Sequence, residues 1–275
     1  MSSELDIVSV SILSLASQLD KLGAREWNLN MVAIVTSLIL CGVQASLGKR
    51  HGIDWLAFVH ALVTGIGGIL CVYLDFFAAV QITGLPEPVR TARCGEEALT
   101  SLHRLLPAIT LGYSIYDVIA GLSLGWDFLL HGVSTFVVFA FFVQHNEPHF
   151  LAPMLLMEVS TIFLTLVECE HFTPTLSLMN QLCFALSFFV CRIILVPYIW
   201  IGQVTNLLRE ERLGENYCLP WYFNTFILVL GVIFHSLNAF WFYKIVRKVI
   251  RKMSGHEKIH EKNDLKERGE TQKED

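Results

Sequence analysis

The chain has 275 residues, 53% of them hydrophobic and only 16% charged, with a formal net charge of −5 and a pI near 6.1. So few charges cannot cover the surface of a soluble body of this size, and a membrane class follows. With no basic excess, a nucleic-acid partner held through phosphate contacts is set aside.

Residues 1–28 carry four acids and two bases and have no continuous apolar core, so they do not read as a cleavable signal peptide. The first spanning helix then serves as the targeting signal. Val8, Ile12, Leu15, Leu19 and Leu22 recur at spacings of three and four, which suits a helix lying on the membrane interface, with a frayed tail as the alternative.

Crossing the hydrocarbon core takes about 20 apolar residues, and seven stretches approach that length. They are expected at 29–47, 53–79, 105–124, 126–143, 151–167, 180–201 and 222–243. Gly125 and its neighbours alone separate the third from the fourth, which implies a tight helical hairpin. The expected fold is all-α and polytopic, with about seven transmembrane helices, or six if the first stretch is interfacial.

The linker 80–104 contains Gly84, Pro86, Pro88 and three arginines and reads as an extramembrane loop, as does 202–220 with Arg209, Glu210, Glu211, Arg212 and Glu215. Beyond the last span, Lys244, Arg247, Lys248, Arg251 and Lys252 form a basic cluster, and 254–275 is a charged tail, either disordered or a frayed helix. Lys49 and Arg50 in a short loop, together with the five bases after the last span, favour a cytosolic C-terminus and, with seven spans, an N-terminus in the lumen or outside, although the loops 80–104 and 202–220 on that outer side carry arginines too. On this topology Cys94 and Cys218 share an oxidising face, and a disulfide and two free thiols both stay open.

Cys41, Cys71, Cys183 and Cys191 fall in apolar segments, where a thiol behaves as a small hydrophobe. The chain has no CxxC pair and no zinc-spaced Cys/His cluster. Pro148 interrupts the His145/His149 pair, and His171 follows Glu168 and Glu170 in what reads as a solvated loop, so no metal site is expected. Catalytic signatures of the GxSxG, P-loop, dinucleotide and HExxH types are missing, as is any internal repeat, and the chain reads as one domain.

Ionisable residues inside a membrane cost several kcal/mol on insertion scales and normally face the bundle interior, where they pair or work. Here they are His60, Asp75, Asp117, Asp127, His131, Glu158, Arg192 and His235. Residues three or four apart stack on one helical face. Tyr113, Tyr116 and Asp117 therefore share a face; so do Asp127, His131 and Thr135, the set Glu158, Thr161 and Thr165, and the pair His235 and Asn238. A carboxylate one turn before His131 can orient its imidazole, an arrangement suited to proton transfer. Arg192 is expected to neutralise one or two of Asp117, Glu158 and Asp75. Asp127, near a span end, can equally be hydrated or cap the helix, and His60 and His235 can serve as interhelical hydrogen-bond partners.

Several blocks in order carry a resemblance: Phe58-Val59-His60, then Leu111 to Asp117 (LGYSIYD), Trp126 to His131 (WDFLLH), Met157 to Thr161 (MEVST), Phe189 to Ile193 (FVCRI) and Asn238 to Trp241 (NAFW). In these the chain resembles the TLC-domain proteins, the group that includes the ceramide synthases, and it looks closer to the small TLC-domain proteins. The resemblance implies a TLC domain over 50–252, preceded by the first transmembrane helix at 29–47 and the N-terminal segment 1–28 and followed by the cytosolic tail 253–275. It further implies six helices around a lipid-sized cavity lined by His60, Tyr113, Tyr116, Asp117, Thr135, Glu158, Arg192, His235 and Asn238. Residence in the endoplasmic reticulum, with a lumenal N-terminus and a cytosolic C-terminus, also follows from it.

In ceramide synthases an HHxxT pattern supports acyl transfer from acyl-CoA to a sphingoid amine; here the pattern reads His131-Gly132-Val133-Ser134-Thr135. With glycine at the second position, two readings stand. One is a protein that binds or senses membrane lipids and influences lipid composition. The other is an acyl-CoA-dependent N-acyltransferase using His131 with Asp127 as its orienter. Neither needs a cofactor, since acyl-CoA would be a substrate. Membrane lipids are the expected partners, a transporter or interaction protein is a third reading, and self-association stays open.

Overall fold

A computed structural model describes Gln18 and residues 28–46, 49–83, 101–145, 150–213 and 220–253. Apart from Gln18, the expected interfacial helix at 7–22 lies outside the described residues, as do Cys94, Cys218, His149, Glu215 and the tail 254–275.

Helix α1, Leu29–Ser46, starts where the Asn28 side-chain oxygen accepts the backbone N–H groups of Asn30 (3.0 Å) and Met31 (3.3 Å), two of the donors that a helix start leaves without partners. Next comes a small antiparallel ribbon, β1 Lys49–Arg50 and β2 Ile53–Asp54, with Lys49 opposite Asp54. Its two turn residues, His51 and Gly52, both have positive φ (54° and 76°), as a two-residue hairpin turn of this twist requires. The Asp54 carboxylate then caps α2, Trp55–Thr83, by accepting the Ala57 N–H at 3.1 Å.

Helices α3, Ser101–Leu124, and α4, Trp126–Gln144, form the expected hairpin. Gly125 joins them at φ 132°, a conformation that a side chain rarely adopts, so the turn needs no further residue. A 3₁₀ turn, Ala152–Met157, leads into the eight-residue α5, Glu158–Thr165. The next helix starts as α6, Pro174–Ser187, capped by the Thr173 hydroxyl, passes through a π-helix at Phe188–Leu195, and continues as α7, Val196–Leu213. Pro197, two residues past the π-helix, cannot donate back to Ile193 and its ring would crowd that carbonyl in a regular helix; the wider π turn relieves both problems. Helix α8, Phe223–Met253, has 31 residues.

Among the described residues five helical stretches are long and apolar enough to cross a membrane: Trp55–Asp75, Ser101–Leu124, Trp126–Gln144, Pro174–Arg209 and Phe223–Arg251. Leu29–Gly42 and Ala152–Thr165 are shorter apolar helices at the expected first and fifth positions. The chain is thus an all-α polytopic membrane protein. Three expectations need correction. The third span opens at Ser101, so Arg104 is helical and not in a loop. Residues 202–213 continue α7, which puts Arg209 and Arg212 on a helix. The fifth stretch gives 14 residues of 3₁₀ and α-helix, short of the full span expected over 151–167.

Contacts divide the chain into two units, 1–237 and 238–275. In the first, small residues let backbones meet, as is usual where lipid supplies no hydrophobic drive between helices. Gly112 abuts the Ala33 carbonyl on α1, and the Ser37 hydroxyl donates to the Gly112 carbonyl at 2.9 Å. Gly65 and Gly68 of α2 meet the backbone of Glu158–Val159 and Leu155–Leu156. An aromatic-rich core joins Phe139, Phe142, Phe150, Phe223 and Ile227, with Phe142 and Phe150 stacked at 5.1 Å. Large apolar side chains such as Leu38 (68% exposed) and Leu186 (65%) point outward, the inverse of a soluble surface and the expected lipid face.

The β1–β2 turn docks on the segment following α5: Glu170 N–H donates to the His51 carbonyl (3.1 Å), Lys49 pairs with Glu168 (2.7 Å), and His51 faces Glu170 at 3.5 Å and His171 at 4.7 Å between ring centres. The Glu168 carboxylate raises the pKa of the exposed Lys49 ammonium through its hydrogen bond and its charge. His171 and its acidic neighbours thus form part of an exposed clasp.

Candidate functional site: a buried polar cluster

Arg192 is held in the π-helix with 5% of its surface exposed. A buried guanidinium must be satisfied by hydrogen bonds as well as by charge. Its Nε donates to the Met157 carbonyl (3.1 Å) and the Ser160 hydroxyl (2.8 Å), and one terminal nitrogen donates to the Thr161 hydroxyl (2.8 Å) and stands 3.6 Å from the Glu158 carboxylate. Phe188, one turn earlier, lies under the guanidinium at 5.3 Å. The α5 signature Glu158, Ser160, Thr161 is therefore a cradle for one cation.

Opposite it stands the α3 face. Tyr113 and Asp117 stand one turn apart and act on each other, and Glu158, Asp54 and Arg192 are the charged groups acting on Asp117. The Tyr116 hydroxyl donates to the second Asp54 carboxylate oxygen at 2.6 Å, so Asp54 caps α2 with one oxygen and ties α3 with the other. His60 lies flat on Tyr113 (3.8 Å between ring centres, 7° between planes), and its Nε2 is 3.4 Å from the Thr110 hydroxyl.

His131 approaches from α4, its ring edge-on to Phe234 at 5.9 Å, with Arg192 and Glu158 as the charged groups acting on it. Asp127, one turn earlier on α4, is buried as well. Tyr113, Tyr116, Asp117, His131, Glu158 and Arg192 thus come together from four elements, with His60 at the edge of the group. Three other expected members have settings of their own. The Thr135 hydroxyl is buried without a hydrogen-bond partner among the described residues, His235 meets Trp200 edge-on at 4.9 Å, and Asn238 is buried on the part of α8 in the second unit.

Gly132, at the second position of the HHxxT pattern, lies in the α3–α4 contact. A Cβ placed on it would stand 2.9 Å from both the Asp117 carbonyl carbon and the Val118 nitrogen, so this position has no room for an imidazole at the present helix spacing.

Asp75 does not serve Arg192. It pairs with His103 at 3.1 Å in the core, both buried, and so fastens α2 to α3. Sequence reasoning passes over His103, which falls in the expected linker 80–104, and over Asp54, the second residue of the expected span 53–79. The Asp54 signal was legible, an acid just ahead of an apolar helical run. No group of three or more His, Cys, Asp or Glu poised for a metal occurs among the described residues.

The family model for the TLC domain matches residues 50–247. The chain is 27% identical to TLC domain-containing protein 4-B of Danio rerio, over 74% of this chain and 76% of that one. It is 28% identical to TLC domain-containing protein 4 of Xenopus tropicalis (74% and 77%) and 29% identical to TLC domain-containing protein 4-A of Xenopus laevis (74% and 78%). No solved structure matches it. Since the family model covers well over half of the 275 residues, the chain belongs to the TLC-domain family.

Proposed function

We propose that this protein binds a membrane lipid against the polar cluster of Tyr113, Asp117, His131, Glu158 and Arg192 and thereby influences membrane lipid composition. The observation that carries this reading is the contact at Gly132. The position that the second histidine of the pattern would take is closed by helix packing, while Tyr113 and Arg192 are buried and Asp117, His131 and Glu158 half-buried. Holding such groups inside apolar helices is costly unless they pair or meet a polar ligand group, and the headgroup or linkage region of a lipid is the polar chemistry a membrane supplies. The reading takes the endoplasmic reticulum as the membrane, with a lumenal N-terminus and a cytosolic C-terminus, as the loop charges favour.

A second reading, acyl transfer from acyl-CoA to a lipid amine, draws on His131 and Asp127 being one turn apart on α4 and on the charge of the Glu158 carboxylate acting on the imidazole. His131 would take the proton of the attacking amine as the thioester opens and the CoA thiolate leaves.

One experiment separates the two: lipid mass spectrometry of the purified full-length protein and of His131→Ala, each incubated with labelled acyl-CoA. A defined lipid retained by the intact protein, weakened by the substitution and without labelled product from either, is the expected result. A labelled N-acyl lipid or acyl adduct formed only by the intact protein would overturn lipid binding as the whole function and establish the transferase.

A further inference from the structure

Helix α8 is longer than a membrane requires, and the surplus has a pattern. From Phe223 to Tyr243 it carries no Asp, Glu, Lys or Arg, and at 1.5 Å per residue those residues cover about 30 Å, the thickness of the hydrocarbon core. The first base, Lys244, comes immediately after, and the helix continues without a break to Met253. This last stretch therefore rises through the headgroup layer.

In that stretch Lys244, Arg247, Lys248, Arg251 and Lys252 recur at three- and four-residue steps. At 3.6 residues per turn the five bases fall within an arc of about 140°, and Tyr243, Ile245, Val246, Val249, Ile250 and Met253 fill the opposite arc of about 160°. No acid lies between Asn238 and Met253 to neutralise the stripe from its own helix. Lys244, Arg247, Lys248 and Arg251 are exposed, as are Tyr243 (60%) and Ile250 (59%). The Lys244 ammonium sits 4.3 Å from the centre of the Phe240 ring, one turn back toward the apolar part of the helix. This cation–π contact gives the first base of the stripe an aromatic partner where the apolar run ends.

We propose that the basic stripe of α8 is a binding site for anionic lipid headgroups, those with a net negative phosphate, on the face of the membrane where α8 emerges. Charge complementarity selects this occupant. A one-sided stripe of five cations at headgroup depth meets phosphate directly, the arginines offer planar two-pronged donors that match phosphate oxygens, and the apolar arc keeps the helix against acyl chains or protein. The site is independent of the polar cluster inside the first unit and of the reading given to it.

The test is native mass spectrometry of the full-length protein in mixed micelles of phosphatidylcholine with either phosphatidylserine or a phosphoinositide, compared with a variant in which all five bases are Gln. A charge-conserving variant, Arg247→Lys with Arg251→Lys, serves as the folding control. The intact protein is expected to retain the anionic lipids over phosphatidylcholine, with the enrichment falling as salt rises, dropping by about tenfold or more in the Gln variant, and largely surviving in the Lys variant. Equal retention of both lipid classes by the intact protein, or enrichment unchanged in the Gln variant, would overturn the proposal. Enrichment lost equally in both variants would overturn it as well, because charge alone would then not explain the site.

Discussion

Gly132 on α4 lies against the peptide joining Asp117 to Val118 on α3, so close that a single added carbon would stand 2.9 Å from that backbone. Nothing flexible can give way at this contact, since both neighbours are main-chain atoms of a helix. Gly132→Ala is therefore expected to lower stability by about 1–3 kcal/mol, the usual cost of overpacking a tight contact, and Gly132→His by more. Thermal unfolding of the two variants in detergent checks this. A Gly132→His protein as stable as the parent would show that the helix pair spreads easily, and that the missing histidine can simply be put back.

Arg192 and Glu158 lead to a second prediction. With side-chain exposures of 6% and 13%, the pair is shielded from water, so removing one partner strands the other. Arg192→Met should cost about 3–5 kcal/mol, because Ser160, Thr161 and the Met157 carbonyl also lose their donor. Arg192→Lys should recover only part of this, since a single ammonium cannot span the same acceptors. Adding Glu158→Gln to Arg192→Met should be less harmful than the sum of the two single changes, and a double-mutant cycle on detergent-solubilised protein measures the difference.

How far the sequence discloses this arrangement depends on the kind of signal. Apolar length located the helical stretches because hydrocarbon thickness sets it, and the Tyr113–Tyr116–Asp117 face followed from helical period alone. The partners did not follow. Asp75 and Arg192 both lie in apolar spans, and composition alone leaves them free to pair; only the packing of α2 on α3 brings His103 within reach of Asp75. The role of Gly132 was likewise hidden, because a glycine in a sequence does not say which backbone lies opposite. Asp54 shows the same limit at a helix end: its cap was readable from its position, its bond to Tyr116 was not.

The Asp75–His103 pair predicts a purely structural effect. It joins α2 to α3 at 3.1 Å with both side chains in the core, on the two helices that flank the linker 84–100. Asp75→Asn keeps the shape and a hydrogen-bond acceptor, so about 1 kcal/mol should be lost, whereas Asp75→Leu leaves the buried imidazole without this acceptor and should cost about 1–3 kcal/mol. Lipid retention by the folded fraction should be unchanged in both variants. A selective loss of bound lipid at full thermal stability would instead move this pair into the functional site.

Asp54 and Tyr116 allow the two jobs of one carboxylate to be separated. Tyr116→Phe removes only the 2.6 Å bond to the second carboxylate oxygen and should cost about 0.5–1.5 kcal/mol, the net worth of a single hydrogen bond. Asp54→Ala also removes the cap on α2 at the Ala57 N–H and should cost about 1 kcal/mol more. Asp54→Ser keeps a capping oxygen at the helix start but is too short to reach Tyr116, so it should resemble Tyr116→Phe. In the Tyr116→Phe background, Asp54→Ser should then be nearly silent, because the bond it would break is already gone. The ordering Asp54→Ala below Asp54→Ser, with the last two variants close together, can be read from thermal midpoints in a single detergent. Equal losses for Asp54→Ala and Asp54→Ser would mean that the cap contributes little, and that Asp54 acts mainly by tying the start of α2 to the face of α3 that carries Tyr113 and Asp117.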